Sequence, residues 1–400
     1  MSEFPSGRRW TFAGLAATVE KLPATDEPFV FAQGQAAEFI FDVLRAWRDE
    51  AVLCPLEIGQ PKPLLPVPPP PAVHLKLTSA TTGPARAVVF TAEQLAADAE
   101  NIVATMGLRT DWPNLGAISL AHSYGFSNLV LPLLLHGIPL VLVASPLPEI
   151  VRRAAENFSG LTLAAVPALW RTWHETNSIP AQTRLAISAG APLPAILERE
   201  VFQARGLKIH NFYGSTECGG IAYDATESPR ADDAGVGSPM RNVTLDTDDS
   251  GCLRVASHAV GKTYWPESDT ALGNGIFQTS DLCEFRAGQV FLRGRLSDQI
   301  NIAGRKVSPA GIEQVLAAHP AVRECVVFGV PSQDADRSET IVAGVVVREA
   351  VTAGELKQFL LARLPAWQVP RAWRFVASLT ENRRGKISRA EWRRKFLSLE

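Results

Sequence analysis

The run Leu207-Lys208-Ile209-His210-Asn211-Phe212-Tyr213-Gly214-Ser215-Thr216-Glu217 passes from an apolar strand directly into a polar turn. Residues 207–212 read as a short buried strand, and the glycine and hydroxyls after them end it. In open α/β sheets, ligands bind outside the carboxyl ends of parallel strands. At such a place Phe212 or Tyr213 can stack a base, the Thr216 hydroxyl can meet a phosphate, and the Glu217 carboxylate can hold Mg²⁺. Taken alone, the segment is equally an ordinary exit from a strand into a turn.

Working outward, further short apolar runs occur at 73–77, 88–90, 117–120, 140–143, 161–165 and 185–188. Helical patterns lie among them. Over 35–50, Phe39, Val43, Leu44 and Trp47 share one stripe, and a helix opens at Thr91 with Gln94 three residues on as a capping box. Buried strands separated by helices predict an α/β domain with a largely parallel sheet. Residues 61–71 hold seven prolines and predict a stiff, extended connector. From 236 to 292 the texture changes to short strand-like pieces with Gly and Asp turns, predicting a smaller β-rich subdomain. The last hundred residues predict an α+β unit, with helices at 312–317 and 356–363 and strands at 322–330 and 341–347. The texture thus divides the chain into a large N-terminal domain, 1–297, and a small C-terminal one, 298–400, joined near 294–300.

Composition narrows the function. The 400 residues are 46% hydrophobic and 20% charged with a net charge of −2, which excludes a disordered chain and argues against a nucleic-acid binder. The most apolar stretch, 129–144, is broken by Pro132, His136, Gly137 and Pro139, so no membrane span is expected. A core helix, a turn at His136-Gly137 and a strand at 140–143 fit it better. The five cysteines are scattered, without zinc or redox spacing, and point to a reducing, cytoplasmic setting.

Four other segments carry chemical side chains. Thr78-Ser79-Ala80-Thr81-Thr82-Gly83 places four hydroxyls before a glycine, with Arg86 just beyond, a pattern able to wrap an anion. It lacks the Gly-Lys-Ser/Thr of a Walker loop and, taken alone, reads first as a polar turn between two strands. Asp281, after a strand, suits ribose hydroxyls. Arg295 and Asp298 sit at the proposed domain junction, ahead of a Gly-containing turn between short strands at 300–307. Lys386, in Gly385-Lys386-Ile387-Ser388-Arg389, belongs to a tail with nine Lys/Arg and two Glu between Arg371 and Lys395.

In this order and separation the segments resemble the adenylate-forming superfamily of acyl-CoA synthetases, aryl-acid ligases, luciferases and peptide-synthetase adenylation domains. The resemblance runs from about Leu77 to Arg389, with a shortened N-terminal region. Residues 78–87 look like the family's phosphate loop, Gly190-Ala191-Pro192 like its adenine-side turn, and Tyr213-Gly214-Ser215-Thr216-Glu217 match its Tyr-Gly-x-Thr-Glu motif. Asp281 and Arg295 match its ribose-binding positions, Asp298 its hinge, and Lys386 its catalytic lysine. Arg86 stands for the family's lysine, Ala80 and Ala87 for glycines and Ala85 for a proline; Asn301 and Gly311 stand where Lys and Glu are usual.

The resemblance implies that a carboxylate attacks the α-phosphate of ATP·Mg²⁺, giving an acyl-adenylate that a thiol then captures. It implies Thr78, Ser79, Thr81, Thr82, Gly83 and Arg86 around the phosphates, and Gly190, Ala191, Pro192, Phe212, Tyr213 and Gly214 around the base. Thr216 would contact the α-phosphate, Glu217 hold Mg²⁺, and His122 swing with ATP binding. Substrate choice would fall to His122, Tyr124, Phe126, Ala189, Gly190, Phe212, Gly219, Gly220 and Ile221, whose mix of aromatic and small residues suits an aryl or medium acyl acid. No Asp lies in 121–128, which argues against an amino acid. The acceptor would be the pantetheine thiol of CoA or of a holo acyl carrier protein. The alternative is an inactive nucleotide-binding homologue, for which Ala80 is the motive.

Overall fold

Thirteen strands form one sheet in the computed structural model, which describes residues 1–78, 86–332, 339–379 and 388–398. Ser2–Phe4, Leu140–Val143, Asn114–Gly116, Leu161–Ala165, Thr183–Ser188 and Ile209–Ser215 lie side by side in that order, all parallel. Leu140–Val143 and Leu161–Ala165 are buried along their whole length, as continuous apolar runs must be when helices cover both faces. One face carries Trp170 and Trp173, both fully buried with their rings 5.5 Å apart edge to face. The other carries the helix Ala37–Arg48 through Phe39, Ile40 and Val43, and the helix Ala92–Met106. The latter opens with the expected capping box: the Thr91 N–H donates to Gln94 Oε1 at 2.9 Å, and Gly107 closes it at φ +65°.

The sequence reading needs correction at one place. Residues 117–120 are not a strand; the strand there is Asn114–Gly116. The Gln35 side chain takes the main-chain groups that a neighbouring strand would need, accepting from the Leu120 N–H at 2.8 Å and donating to the Ile118 carbonyl at 2.7 Å. The expected β-rich region is present and continues the parallel sheet. Ile209–Ser215 turns back into Gly219–Tyr223, which leads antiparallel through Gly235–Pro239, Gln289–Arg295, Ile276–Arg286 and Cys252–Ala256 to Thr244–Thr247.

A second sheet orders Thr263–Trp265, Ala87–Phe90, His74–Leu77, Val52–Leu53 and Phe29–Val30. The proline-rich connector runs past it, where the Pro66 carbonyl accepts the Trp265 indole N–H at 2.7 Å. The C-terminal unit is α+β. Val322–Pro331, Glu339–Val347 and Ala372–Phe375 form its sheet, packed by the helices Pro309–Ala317, Ala353–Leu361 and Arg389–Leu397. It has its own apolar clusters, one from Ile300 to Val369 and one from Val326 to Phe396. Arg171 of the large unit meets Glu324 of the small one at 3.1 Å.

Among the described residues, no helix is long and apolar enough to cross a membrane.

Candidate active site

The last parallel strand, Ile209–Ser215, delivers Tyr213 to Glu217 to the carboxyl edge of the sheet. Ser215 leads into a turn over 216–218 and the chain returns as Gly219–Tyr223. Position 214 must be glycine, because a Cβ there would stand 2.5 Å from the Gly219 carbonyl oxygen. The Tyr213 hydroxyl donates to Asp281 Oδ2 at 2.5 Å, and Arg295 Nε donates to Asp281 Oδ1 at 2.9 Å. Asp281 and Arg295 face each other across two antiparallel strands, so the sheet register fixes this pair. Burial, reinforced by the Asp281 carboxylate, pushes the Tyr213 phenol well above its ordinary pKa and keeps it a proton donor.

The hydroxyl-rich loop begins at a closed neck. The Thr78 N–H and its hydroxyl both donate to the Arg86 carbonyl, at 2.9 and 3.0 Å. Arg86 lies over the Tyr264 ring, 3.5 Å from its centroid, and pairs with Asp269 at 2.9 Å. The Tyr264 hydroxyl in turn donates to Glu217 Oε1 at 3.2 Å. Stacking and hydrogen bonding therefore join the base of this loop to the carboxylate of the hairpin. Arg86 is half-exposed and already paired, so an arriving anion would compete with Asp269 for it. Ser79, Thr81, Thr82 and Gly83 lie outside the described residues, as does Lys386.

Gly190, Ala191 and Pro192 follow the carboxyl end of Thr183–Ser188, next in the sheet to the hairpin strand, and Gly190 turns at φ +85°. His122 caps a helical turn, its Nδ1 accepting the Tyr124 N–H at 3.2 Å. Phe212 packs 5.8 Å from the Tyr124 ring. Not every residue expected to line an acid pocket faces open space. Phe126 is a core residue whose ring centre lies 4.5 Å from that of His74, with the planes tilted by 40°, and Ile221 is fully buried.

The family model for "AMP-binding enzyme" matches residues 12–265, and that for "AMP-binding enzyme C-terminal domain" matches residues 311–386. The chain belongs to the AMP-binding enzyme family. It is 29% identical over 345 residues to a feruloyl-CoA synthase from Amycolatopsis sp, covering 80% of this chain and 69% of that one. It is 28% identical over 337 residues to a probable 2-succinylbenzoate–CoA ligase from Mycobacterium tuberculosis, covering 80% and 83%. In fold it is similar to ATP-bound MatB from Rhodopseudomonas palustris, with a TM-score of 0.86 at 20% identity over 100% of this chain and 96% of that one. It is also similar to the o-succinylbenzoate CoA synthetase from Bacillus subtilis in complex with the acyl-adenylate intermediate OSB-AMP, with a TM-score of 0.82 at 21% identity over 98% and 94%.

In this AMP-binding enzyme, Asp298 sits between the two units and is held by Arg389 at 2.8 Å. Arg389 also binds Glu313 at 2.5 Å and, through Nε, the Val327 carbonyl at 3.2 Å. Three residues in the sequence after Lys386, the tail is thus anchored to the junction. Tyr264, Asp269 and Glu313 escaped the sequence reading, since nothing local distinguishes them from surface residues. Lys76 and Asp98 carried a readable signal: each is a charge at a position whose neighbours are core, and both are buried.

Proposed function

We propose that this chain is an AMP-forming acid–thiol ligase that activates an aryl or medium acyl acid and passes the acyl group to a pantetheine thiol. The observation that carries this reading is the assembly of Tyr213, Asp281 and Arg295, where one bond spans 68 positions of the chain. An acceptor-only carboxylate beside a phenol fits a ribose hydroxyl next to a base. The relatives named above, a feruloyl-CoA synthase and a 2-succinylbenzoate–CoA ligase, support acid activation with CoA as the acceptor. None of them favours an inactive homologue.

Glu217 is the residue to hold Mg²⁺. No group of three or more His, Cys, Asp or Glu among the described residues forms a metal cage. Mg²⁺ bound to nucleotide phosphates needs just one or two protein carboxylates, which fits Glu217 and its single Tyr264 bond among those described. When bound, the ion would neutralise charge developing on the phosphates.

In the first step a carboxylate oxygen of the acid bonds to the α-phosphorus and the bond to pyrophosphate breaks. Lys386 would bridge the two anions, Thr216 would contact the α-phosphate, and Thr78, Ser79, Thr81 and Thr82 would hold the β,γ end. His122, Tyr124 and Phe212 border the acid, and Gly190, Ala191 and Pro192 border the base. The thiolate then attacks the acyl carbonyl and AMP leaves. Between steps the cap, 298–400, rotates about Asp298 to exchange Lys386 for the thiol. CoA and a holo carrier protein present the same thiol, and the basic tail suits the phosphates of one or the acidic surface of the other.

A panel of aryl and C6–C12 acids in ATP–pyrophosphate exchange tests the reading, and exchange with none of them would sink it. AMP release with CoA, compared with holo carrier protein, assigns the acceptor. Asp281→Ala is expected to raise KM for ATP by about 10–100-fold, from about 1.5–3 kcal/mol for hydrogen bonds to a charged group. Initial rates against ATP concentration check it, and an unchanged KM would remove Asp281 from the nucleotide site.

A further inference from the structure

Lys76, Asp98 and Ser127 form a buried charged cluster beneath the hairpin and in contact with its Gly219 and Gly220. Lys76 is 4% exposed, Asp98 1% and Ser127 2%. Lys76 Nζ lies 3.1 Å from Ser127 Oγ and 3.7 Å from Asp98 Oδ2, and stands 4.6 Å from the centre of the Phe90 ring. Ser127 donates to Asp98 Oδ2 at 2.5 Å, while Asp98 Oδ1 accepts the Gly220 N–H at 3.1 Å. Gly219, at φ +67°, rests against the same carboxylate so closely that a Cβ would stand 2.0 Å from Oδ1.

Each partner comes from a different segment of the proposed site. Lys76 lies on His74–Leu77, two residues before Thr78 opens the hydroxyl loop. Gly219 and Gly220 begin the strand that follows Glu217. Ser127 lies in the π-helix Phe126–Val130, which continues the segment carrying His122 and Tyr124. Three strand and helix ends therefore converge on one carboxylate and one ammonium.

An apolar core would hold these segments together at lower desolvation cost. Burying two charges is expensive, and well-packed apolar replacements often leave stability equal or higher. What the charged cluster adds is direction: a carboxylate with fixed acceptors accepts the Gly220 N–H in one geometry, where apolar packing tolerates sliding. Burial lowers the Lys76 pKa, and the neighbouring Asp98 carboxylate opposes that shift.

We propose that Lys76 and Asp98 are positioning residues, a buried ion pair that fixes the relative placement of the strand end leading to Thr78, the Glu217 hairpin and the acid-binding segment. The proposal rests on the acid–thiol ligase reading. Neither side chain touches substrate; they act through Thr78, Glu217 and the segment from His122.

The test separates placement from stability. Asp98→Ala or Lys76→Met alone strands a buried charge and is expected to lower the melting temperature and the exchange rate together. The double variant Lys76→Met/Asp98→Asn removes both charges while Asn can still accept from Gly220. It is expected to recover the wild-type melting temperature but to keep kcat/KM for ATP in pyrophosphate exchange about 10–100-fold low, the scale of a small misplacement of reacting groups. Recovery of both quantities would overturn the proposal, because the pair would then be structural ballast. Should the double variant stay unfolded, Ser127→Ala decides. It leaves the ion pair and cuts the tie to the acid-binding segment, so KM for the acid should rise about fivefold or more in a chain that still folds, with a melting temperature lowered by the lost hydrogen bond to a buried carboxylate. An unchanged KM in that variant would equally overturn the idea. Absence of exchange in the wild-type enzyme with every acid would instead reject the ligase reading on which the proposal rests.

Discussion

Lys386→Ala is expected to lower acid-dependent pyrophosphate exchange by about 10²–10³-fold, the cost of removing one preorganised charge-stabilising group from a reaction centre. The reaction brings a carboxylate up to a phosphate. Two unit negative charges 4 Å apart repel by about 4 kcal/mol at an effective dielectric of 20, so a cation between them offsets much of the barrier. Lys386→Arg keeps the charge but replaces a compact ammonium by a planar fork, and should recover a fraction of the loss. The role is confined to the first step. Thioester formation from chemically prepared acyl-adenylate and CoA should therefore proceed within a few-fold of the wild-type rate. Equal losses in both half-reactions would assign Lys386 a general structural role and remove the exchange mechanism built on it.

Glu198→Ala carries the largest stability effect, about 3–5 kcal/mol, the usual result of stranding a partner of a buried ion pair. Glu198 is fully buried and contacts two cations: Lys208, and Arg230, whose Nε donates at 2.8 Å. Lys208 also binds Asp224 at 2.6 Å, so two acids and two bases balance inside the fold. Burial alone would raise the Asp224 pKa, but the Lys208 hydrogen bond and that of Thr226 bring it below its ordinary value. Arg230 further donates to the Gly235 and Leu193 carbonyls at 2.6 and 2.7 Å, tying the helix Ala195–Arg205 to the strand beside the hairpin. Without Glu198 that guanidinium keeps its carbonyls and loses its nearer counter-charge, leaving Asp224 at 4.0 Å, which Lys208 already holds. Urea unfolding at neutral pH should show the lower midpoint, and a shift under 1 kcal/mol would mean that water or Asp224 compensates.

Sequence pattern exposed the strands at 140–143 and 161–165 to the residue, because each is a short run buried along its whole length between polar or turn-forming neighbours. It misplaced 117–120, where an amide 83 positions away supplies the bonds of a strand, a tertiary substitution that no local pattern records. The same limit hid the site's supporting cast. Tyr213, Glu217, Asp281 and Arg295 were legible from their order, yet Tyr264 and Asp269 enter only because Thr263–Trp265 pairs with Ala87–Phe90 across the chain. The C-terminal strand Ala372–Phe375 and helix Arg389–Leu397 were obscured by their basic composition, which reads as a solvated tail although Phe396 and Trp392 pack inward.

The length of the main sheet has a consequence for solubility. A sheet of this many strands exposes two rims of unpaired N–H and C=O groups, each a template for joining another molecule. At one rim the strand Ser2–Phe4 is three residues long and is followed by Pro5, which has no N–H to offer an incoming strand. At the other, Thr244–Thr247 carries Asp246, bound to Arg254 of the neighbouring strand at 2.5 Å, and places charge where a partner would have to dock. Both rims are therefore poor seeds for fibril-like stacking. Removing the first five residues would uncover the Leu140–Val143 strand, apolar along its length, and turn a guarded border into an adhesive one.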